Sequence, residues 1–373
     1  MKKTKATQLL AIGLTGILLG STFMGCGGNT AEEDSPAATS ADSASESSNS
    51  ADSTSSSSSG ESADTSSASA DGDVSGKKIA FISASNQFDF FVYMGAKVKQ
   101  ICEERGIEVD MLDANTNVTT ESDLMAQAVI TGYDAIIMGP VDSQALVPAV
   151  EEAIEAGIPV INYDSFMEGV DVHARVGSDN QNLGRIAGDY AVEFLEEKYG
   201  EVKGNIIVLT YPALETMNSR TAGFLSAFEE YPDVTIQEEE LRQCDAETGQ
   251  TMTDNLLIAN PSGSVDIIFG ANAGVIIGAN AAVEAAGRDD VALIGIDSEQ
   301  GELEAIASGG VFKATVAQDN IAIGEASIEA AISALQGEKT GDVVIPGILI
   351  TADNVEEYME NDAAVKEELA PYL

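Results

Sequence analysis

The chain has 373 residues, with 62 Asp+Glu against 18 Lys+Arg and a formal charge of −44. That excess of carboxylate excludes partners held by phosphate neutralisation, because a nucleic-acid surface needs a basic face. Its single histidine (His173), three cysteines and lack of tryptophan also argue against multi-histidine metal sites, Cys-rich clusters and aromatic single-strand platforms.

The first residues read as an export leader. Lys2, Lys3 and Lys5 precede an apolar run from Leu9 to Leu19. A membrane span needs about 20 apolar residues, so this run is too short to be one. It ends at Phe23-Met24-Gly25-Cys26-Gly27, which resembles the bacterial lipoprotein signal, in which a diacylglycerol joins the cysteine and the leader is removed. The resemblance implies a signal peptide with its lipobox over 1–26, lipidation at Cys26, and a lipid anchor on the extracytoplasmic face of the cell membrane. Phe23 and Met24 depart from the usual Leu and small residue, and the alternative is a secreted protein cut elsewhere. From Gly27 to Gly76 the chain is Ser/Ala/acidic, with no Lys, Arg or aromatic residue. It cannot bury enough apolar surface to offset its ordering entropy, which predicts a disordered tether over 27–76. Such a chain has a reach of about 40 Å.

Beyond Gly76, short apolar β-branched runs alternate with helical patterns. Strands are expected at Lys78–Ser83, Glu108–Leu112, Ala135–Met138 and Pro159–Asn162. Helices are expected between them at Phe91–Arg105, Glu121–Thr131 and Ser143–Ala156, with Ser143 as a cap and Gly106 and Gly157 as left-handed stops. The pattern restarts with strands Asn205–Leu209, Val234–Leu241, Val265–Phe269 and Val291–Ile296. Helices Glu215–Glu230, Ala246–Ala259, Ala273–Ala286 and Glu299–Ser308 alternate with them. Strands that are apolar throughout belong to parallel sheets covered on both faces, so two doubly wound α/β lobes are expected. A last strand, helix and strand (Ala314–Ala317, Ile321–Gln336, Val343–Ile345) are too few for a third domain and are expected to return to the first sheet. The division expected is 77–178 with 319–346 for the N-terminal lobe, and 179–318 with 347–373 for the C-terminal lobe. A hinge crossed several times would join them. In open parallel sheets ligands sit at the carboxyl ends of the strands, which puts a site between the lobes.

Those strand ends carry a recurring set of residues. Ser83-Ala84-Ser85-Asn86-Gln87 and then Phe88, Phe90 and Phe91 follow the first strand; Asn162-Tyr163-Asp164-Ser165 closes the fourth. In the second series the ends carry Asn272, Asp297 and, after Val316-Ala317, Gln318. Each is also an ordinary turn residue. Their repetition suits a polyhydroxylated ligand, whose hydroxyls both donate and accept and whose C–H face stacks on aromatic rings.

From about Lys77 to Thr351 the chain resembles the sugar-binding periplasmic proteins of the ribose-binding type, the receptors of ABC importers. The stretches that carry the resemblance are IAFISASNQFDFF (79–91), GYDAIIMGPVDSQALVPAVEEAIEAGIPVINYD (132–164), VGSDNQNLGRIAGDY (176–190), RTAGF (220–224), IIFGANAGVIIGA (267–279), ALIGIDS (292–298) and ATVAQDN (314–320). The resemblance implies that Phe90 and Phe91 sandwich a sugar ring, and that Asp164, Asn272, Asp297 and Gln318 bond its hydroxyls. It also places Ser178-Asp179 and Gln318-Asp319 near hinge crossings. Ser85, Ser165, Asn218 and Arg220 complete the expected ligand set. Ribose binders carry arginine where Ser165 and Asn218 stand, and neither serine nor asparagine reproduces bidentate charge-assisted bonds. Ribose itself is therefore in doubt, while a monosaccharide or polyol fits. No alternating acidic run offers a calcium loop.

Other classes fit poorly. No glycine-rich phosphate turn follows the first strand, no G-x-S-x-G accompanies His173, and no basic helix-turn-helix leads the chain. The reading is a monomeric binding protein rather than an enzyme, with no cofactor or metal implied, that hands a small sugar or polyol to an ABC permease. The alternative is a receptor on the same fold that reports to a membrane sensor. Cys102 reads as a buried small apolar residue, Cys244 as a buried loop thiol, and Glu238-Glu239-Glu240 as a solvated face.

Overall fold

The computed structural model describes residues 73–373. The leader with Cys26, and the tether through residue 72, lie outside them. Among the described residues no helix is long and apolar enough to cross a membrane.

In chain order the first elements are β1 (Lys78–Ser83), α1 (Asp89–Arg105), β2 (Glu108–Asp113), α2 (Val118–Thr131), β3 (Ala135–Met138), α3 (Val147–Glu155), β4 (Val160–Tyr163) and β5 (Ala174–Ser178). Then follow α4 (Asn180–Tyr199), β6 (Gly204–Thr210), α5 (Glu215–Ser226), β7 (Val234–Glu240), α6 (Ala246–Ala259), β8 (Ile267–Gly270), α7 (Ala273–Ala285), β9 (Ala292–Ile296), α8 (Gln300–Ala307) and β10 (Phe312–Ala317). The chain closes with α9 (Asn320–Leu335), β11 (Val343–Ile345), β12 (Ile348–Thr351) and α10 (Val355–Leu369).

These strands form two 6-stranded sheets, ordered β11-β5-β4-β3-β1-β2 and β12-β10-β9-β8-β6-β7. Every pairing is parallel except β10 with β12. The central strands are apolar because helices cover both faces. On one face of the first sheet Met94, Val98, Cys102, Ile323 and Ile328 are buried; on the other Met125, Leu146 and Val150 are. Edge strand β7 instead exposes Glu238 and Glu240, charges that discourage strand addition at an open edge.

Three crossings join the lobes. Strand β5 lies in the first sheet, but α4 packs on α5, β9 and β10; β10 lies in the second sheet, but α9 packs on α1, β3 and β4. The third runs from β11 to β12. Asp179 and Asp319 start the helices after the first two crossings by the same device. Each side chain accepts from the backbone N–H three residues on, Asn182 at 3.0 Å and Ala322 at 2.9 Å.

Several expectations change. The strand expected at Ala314–Ala317 belongs to β10 and stays in the second sheet between β9 and β12; only α9 and β11 return to the first. Ser143 caps nothing, because Asp142 folds residues 142–145 into a turn by accepting from the N–H of Gln144 and Ala145, and α3 begins at Val147. Helix α10 touches both lobes: the Tyr358 hydroxyl donates to Ser298 Oγ at 3.1 Å, while Gln100 of α1 donates to Glu368 at 2.9 Å. Gly106 and Gly157 do adopt the left-handed conformation, with φ of 69° and 83°.

Candidate functional site

Two aspartates occupy matching places. Asp164 follows β4 and Asp297 follows β9, and each donates its N–H to the neighbouring strand, to Val176 O at 2.9 Å and Val316 O at 3.0 Å. Both have left-handed backbones, φ 63° and 97°, which a side chain other than glycine adopts at a cost of order 1–3 kcal/mol.

The surroundings differ. Asp297 is held from three directions: by Arg220 Nη1 at 3.3 Å, by Gln318 Nε2 at 3.0 Å and by the Ala273 N–H at 3.3 Å. Arg220 is itself buried, and is fixed by Asn180 Oδ1 at 2.8 Å and the Ala271 carbonyl at 3.1 Å. Its backbone is set by close contact of α4 with α5, where Gly184 lies on the Arg220 carbonyl and Gly223 on the Gln181 carbonyl; a Cβ on either glycine would collide with that backbone. Among the described residues the Asp164 carboxylate, in the other lobe, has only the Ser165 hydroxyl, at 3.3 Å. Burial pushes the Asp164 carboxyl up, Arg220 and Ser165 partly offset this, and the negative charge of Asp297 adds to the rise. Arg220 and Asp297 therefore act on Asp164 across the gap between the lobes.

The remaining candidates divide. Asn272 has both ends of its amide engaged: Oδ1 caps α7 by accepting from Val275 N–H at 3.0 Å, and Nδ2 donates to the Cys244 carbonyl at 3.1 Å. The Ser85 hydroxyl is buried and accepts from the Gln87 N–H at 3.2 Å. Asn218 sits on the exposed side of α5, and among the described residues no side-chain hydrogen bond joins it to the cluster. The rings of Phe90 and Phe91 stand edge to face, centroids 5.1 Å apart at 84°, so they do not bracket a sugar ring between themselves. They form one aromatic wall with Phe88, edge-on to Phe91 at 6.4 Å, and with Tyr163 at 6.2 Å from Phe91. Phe88 is 52% exposed, the open end of that wall.

Sequence reasoning missed Asn180 and Glu302. Asn180 is the first residue of α4 and orients Arg220. Glu302 is fully buried beneath Asp297, where Thr315 Oγ1 lies 2.8 Å from both the Glu302 carboxyl and the Asp297 carbonyl. His173 stands beside Thr340 before β5, at the far end of the sheet from these carboxylates, and burial lowers its pKa. Among the described residues no group of three His, Cys, Asp or Glu could hold a metal ion. Cys102 is buried in α1 and its thiol is pushed up to about 12 by burial. Cys244 is half-buried.

The fold and the paired strand-end carboxylates define a two-lobed receptor for a small ligand. Residues 79–339 match the family model described as a periplasmic binding protein domain, and the chain belongs to that family. It is 28% identical over 250 residues to a ribose import binding protein of Bacillus subtilis, covering 67% of this chain and 79% of that one. It is 29% identical over 293 residues to a D-ribose/D-allose-binding protein of Pseudomonas aeruginosa, covering 74% and 89%. Among solved structures, an ABC transporter solute-binding protein of Bacillus halodurans with bound myo-inositol matches with TM-score 0.68 and 30% identity, over 77% of this chain and 98% of that one.

Proposed function

We propose that this protein is the lipid-anchored receptor of an ABC importer, and that it closes its lobes around one monosaccharide or polyol. The observation that carries the reading is the pair of left-handed strand-end aspartates, Asp297 already ordered by Arg220 and Gln318, and Asp164 facing them from the other lobe. Ionised carboxylates accept from ligand hydroxyls, while Arg220 and the Gln318 amide donate to ligand oxygens. The aromatic wall of Phe88, Phe90 and Phe91 takes the apolar face of the ring. Relatives named for ribose, allose and xylitol, and a structural neighbour holding myo-inositol, support this ligand class. Asn218 and Ser165, standing where ribose binders have arginine, favour a ligand other than ribose. Closure follows because such a ligand bonds both lobes only in the closed form. Cys26 would carry the acyl anchor, and the monomer would hand its cargo to the permease.

The test is a thermal-shift screen against monosaccharides, polyols, nucleosides and amino acids. A ligand at 100 times its Kd adds about 2.7 kcal/mol of stability. A shift confined to one sugar or polyol is expected, whereas shifts only with nucleosides or amino acids would sink the ligand class. Cys26→Ser is expected to release the protein from membranes into the soluble fraction.

A further inference from the structure

Directly behind Asp297 lies a short chain of polar groups that the ligand-binding reading does not use. Glu302, in the first turn of α8, is fully buried, and so is Thr315 of β10. One Glu302 oxygen, Oε2, accepts from the Glu299 N–H at 2.9 Å, completing a capping box. The other, Oε1, lies 2.8 Å from Thr315 Oγ1. The same Thr315 Oγ1 lies 2.8 Å from the Asp297 carbonyl oxygen.

A count of protons favours one direction for these bonds. Threonine has one hydroxyl proton, and a backbone carbonyl can only accept. The Thr315 proton therefore goes to the Asp297 carbonyl, and the contact between Oγ1 and Oε1 needs a proton of its own. A protonated carboxyl supplies it. Were Glu302 ionised, the single Thr315 proton would be divided between two acceptors in a three-centre bond, weaker toward each, in a site closed to water.

We infer that Glu302 is held as the neutral carboxylic acid, donating to Thr315 Oγ1 while Thr315 donates to the Asp297 carbonyl, and that this relay positions the Asp297 carboxylate for ligand. The inference rests on the proposed role of Asp297. Beyond burial, the charged groups that face Glu302 favour its neutral form: Asp297 above it and Glu299 at the helix start are acidic, and from α10 the Tyr358 hydroxyl lies near it. Arg220 lies on the far side of Asp297 and is engaged by it. The left-handed Asp297 backbone, φ 97°, is the strained element that the relay holds in place. Close packing leaves the carboxyl no room to turn, since Gly295 on β9 passes so near that a Cβ there would come within 2.8 Å of Oε1. Glu302 is thus a positioning residue that touches no ligand.

The relay makes a specific prediction for substitutions. In Glu302→Gln the amide reproduces both bonds of the neutral acid, Nε2–H toward Thr315 and the amide oxygen toward Glu299. Glu302→Ala and Thr315→Val remove them. Infrared difference spectra of ligand-free protein at neutral pH, wild type minus Glu302→Gln, are expected to show the C=O stretch of a protonated carboxylic acid. Melting temperature is expected to fall with rising pH more steeply in wild type than in Glu302→Gln. Affinities for D-ribose, D-allose, xylitol and myo-inositol complete the test. For whichever probe binds wild type, Glu302→Ala and Thr315→Val are expected to weaken binding at least fivefold, and Glu302→Gln to keep it within twofold. Absence of the acid band, or identical pH profiles, would overturn the proton assignment. Affinity unchanged in Glu302→Ala and Thr315→Val, with only the melting temperature lowered, would overturn the positioning role. If no probe binds wild type, the receptor reading fails for these ligands while the infrared and melting results still decide the state of Glu302.

Discussion

The two lobes share a plan and use it unequally. Asp164 and Asp297 stand at matching strand ends with the same left-handed backbone, yet Asp297 has Arg220, Gln318 and a backbone N–H around it while Asp164 has one serine hydroxyl. On the proposed site, the C-terminal lobe would therefore present a polar half-site already ordered before ligand arrives. The N-terminal lobe presents an aromatic wall and a carboxylate with most of its acceptor capacity unused. A ligand seated on the ordered half would, on that proposal, offer Asp164 the donors it lacks and concentrate the gain from closing on the less ordered side. Such an asymmetric pair would separate capture from closure, since a ligand can drive closure only by the bonds it makes in the closed form alone.

The sharpest way to break this comparison is to remove the cation that orders one half. Arg220→Ala leaves Asp297 without its charge partner and frees Asn180 and the Ala271 carbonyl from theirs. Loss of one member of a buried pair costs about 3–5 kcal/mol. Denaturant unfolding is expected to show a loss of that size, together with loss of binding. A change below about 1 kcal/mol would mean that the C-terminal half-site is not pre-ordered by Arg220.

Each lobe also buries a glutamate, and here the lobes differ again. Glu302 has a partner for both oxygens, whereas Glu121 in α2 accepts from the Val141 N–H at 2.8 Å with one oxygen and, among the described residues, has no partner for the other. Burial raises the Glu121 carboxyl from its usual 4.5 to about 7. Between those values the native state keeps a proton that the unfolded chain has released, so stability is fullest below 4.5, falls as pH rises, and levels off above about 7. The shift corresponds to about 3 kcal/mol at most. Glu121→Gln keeps the acceptor for Val141 and removes the charge. It is expected to raise the melting temperature above neutral pH and to leave it unchanged in acid; an equal gain at every pH would refute the assignment.

Single substitutions of the two aspartates sharpen the contrast. Asp164→Ala and Asp297→Ala are both expected to weaken ligand binding by at least tenfold, about 1.4 kcal/mol. Their stabilities should diverge. Asp297→Ala leaves Arg220 buried and unpaired, so it destabilises the fold. Asp164→Ala removes a carboxylate that burial already disfavours, so it leaves the melting temperature level or raises it. Titration calorimetry alongside thermal melts reads both quantities. Unchanged affinity in both variants would remove the proposed site.

Much of this arrangement is legible in the sequence, and what is not has physical causes. The uniformly apolar runs mark buried parallel strands, and β1 and β3 fall where periodicity places them. Asp297 and Gln318 meet because they follow the neighbouring parallel strands β9 and β10, and Arg220 reaches Asp297 from α5. Helix α4 escapes a periodicity reading because its buried face is built largely of Gly184, Ala187, Gly188 and Ala191, which show as weak hydrophobic signal and matter through the close approach they permit. Glu302 reads as one more acidic helix residue; only the pairing of β9 with β10 shows that a threonine and a backbone carbonyl are waiting beside it. The edge-to-face setting of Phe90 and Phe91 is a matter of rotamers and helix phase, which adjacency in sequence does not fix.

The smallest expected effect lies at the rims of the two lobes. Asp89 opens α1 in the N-terminal lobe, and Glu299 precedes α8 in the other. Burial raises the Glu299 carboxyl most, with Asp297 and then Asp89 adding to the rise, so the rims carry like charges that face each other. Bringing the lobes together costs more when both are ionised. Asp89→Asn is expected to ease closure and tighten ligand binding by about twofold, in keeping with the few tenths of a kcal/mol that exposed charge pairs contribute. The gain should fade as salt shortens the screening length from about 10 Å at 0.1 M to about 3 Å at 1 M. Because Asp89 also favours the positive start of α1, a small loss of melting temperature should accompany the gain in affinity. Tightening that persists at high salt would point to a change in packing rather than in charge, and no tightening at low salt would mean that the rims do not oppose closure.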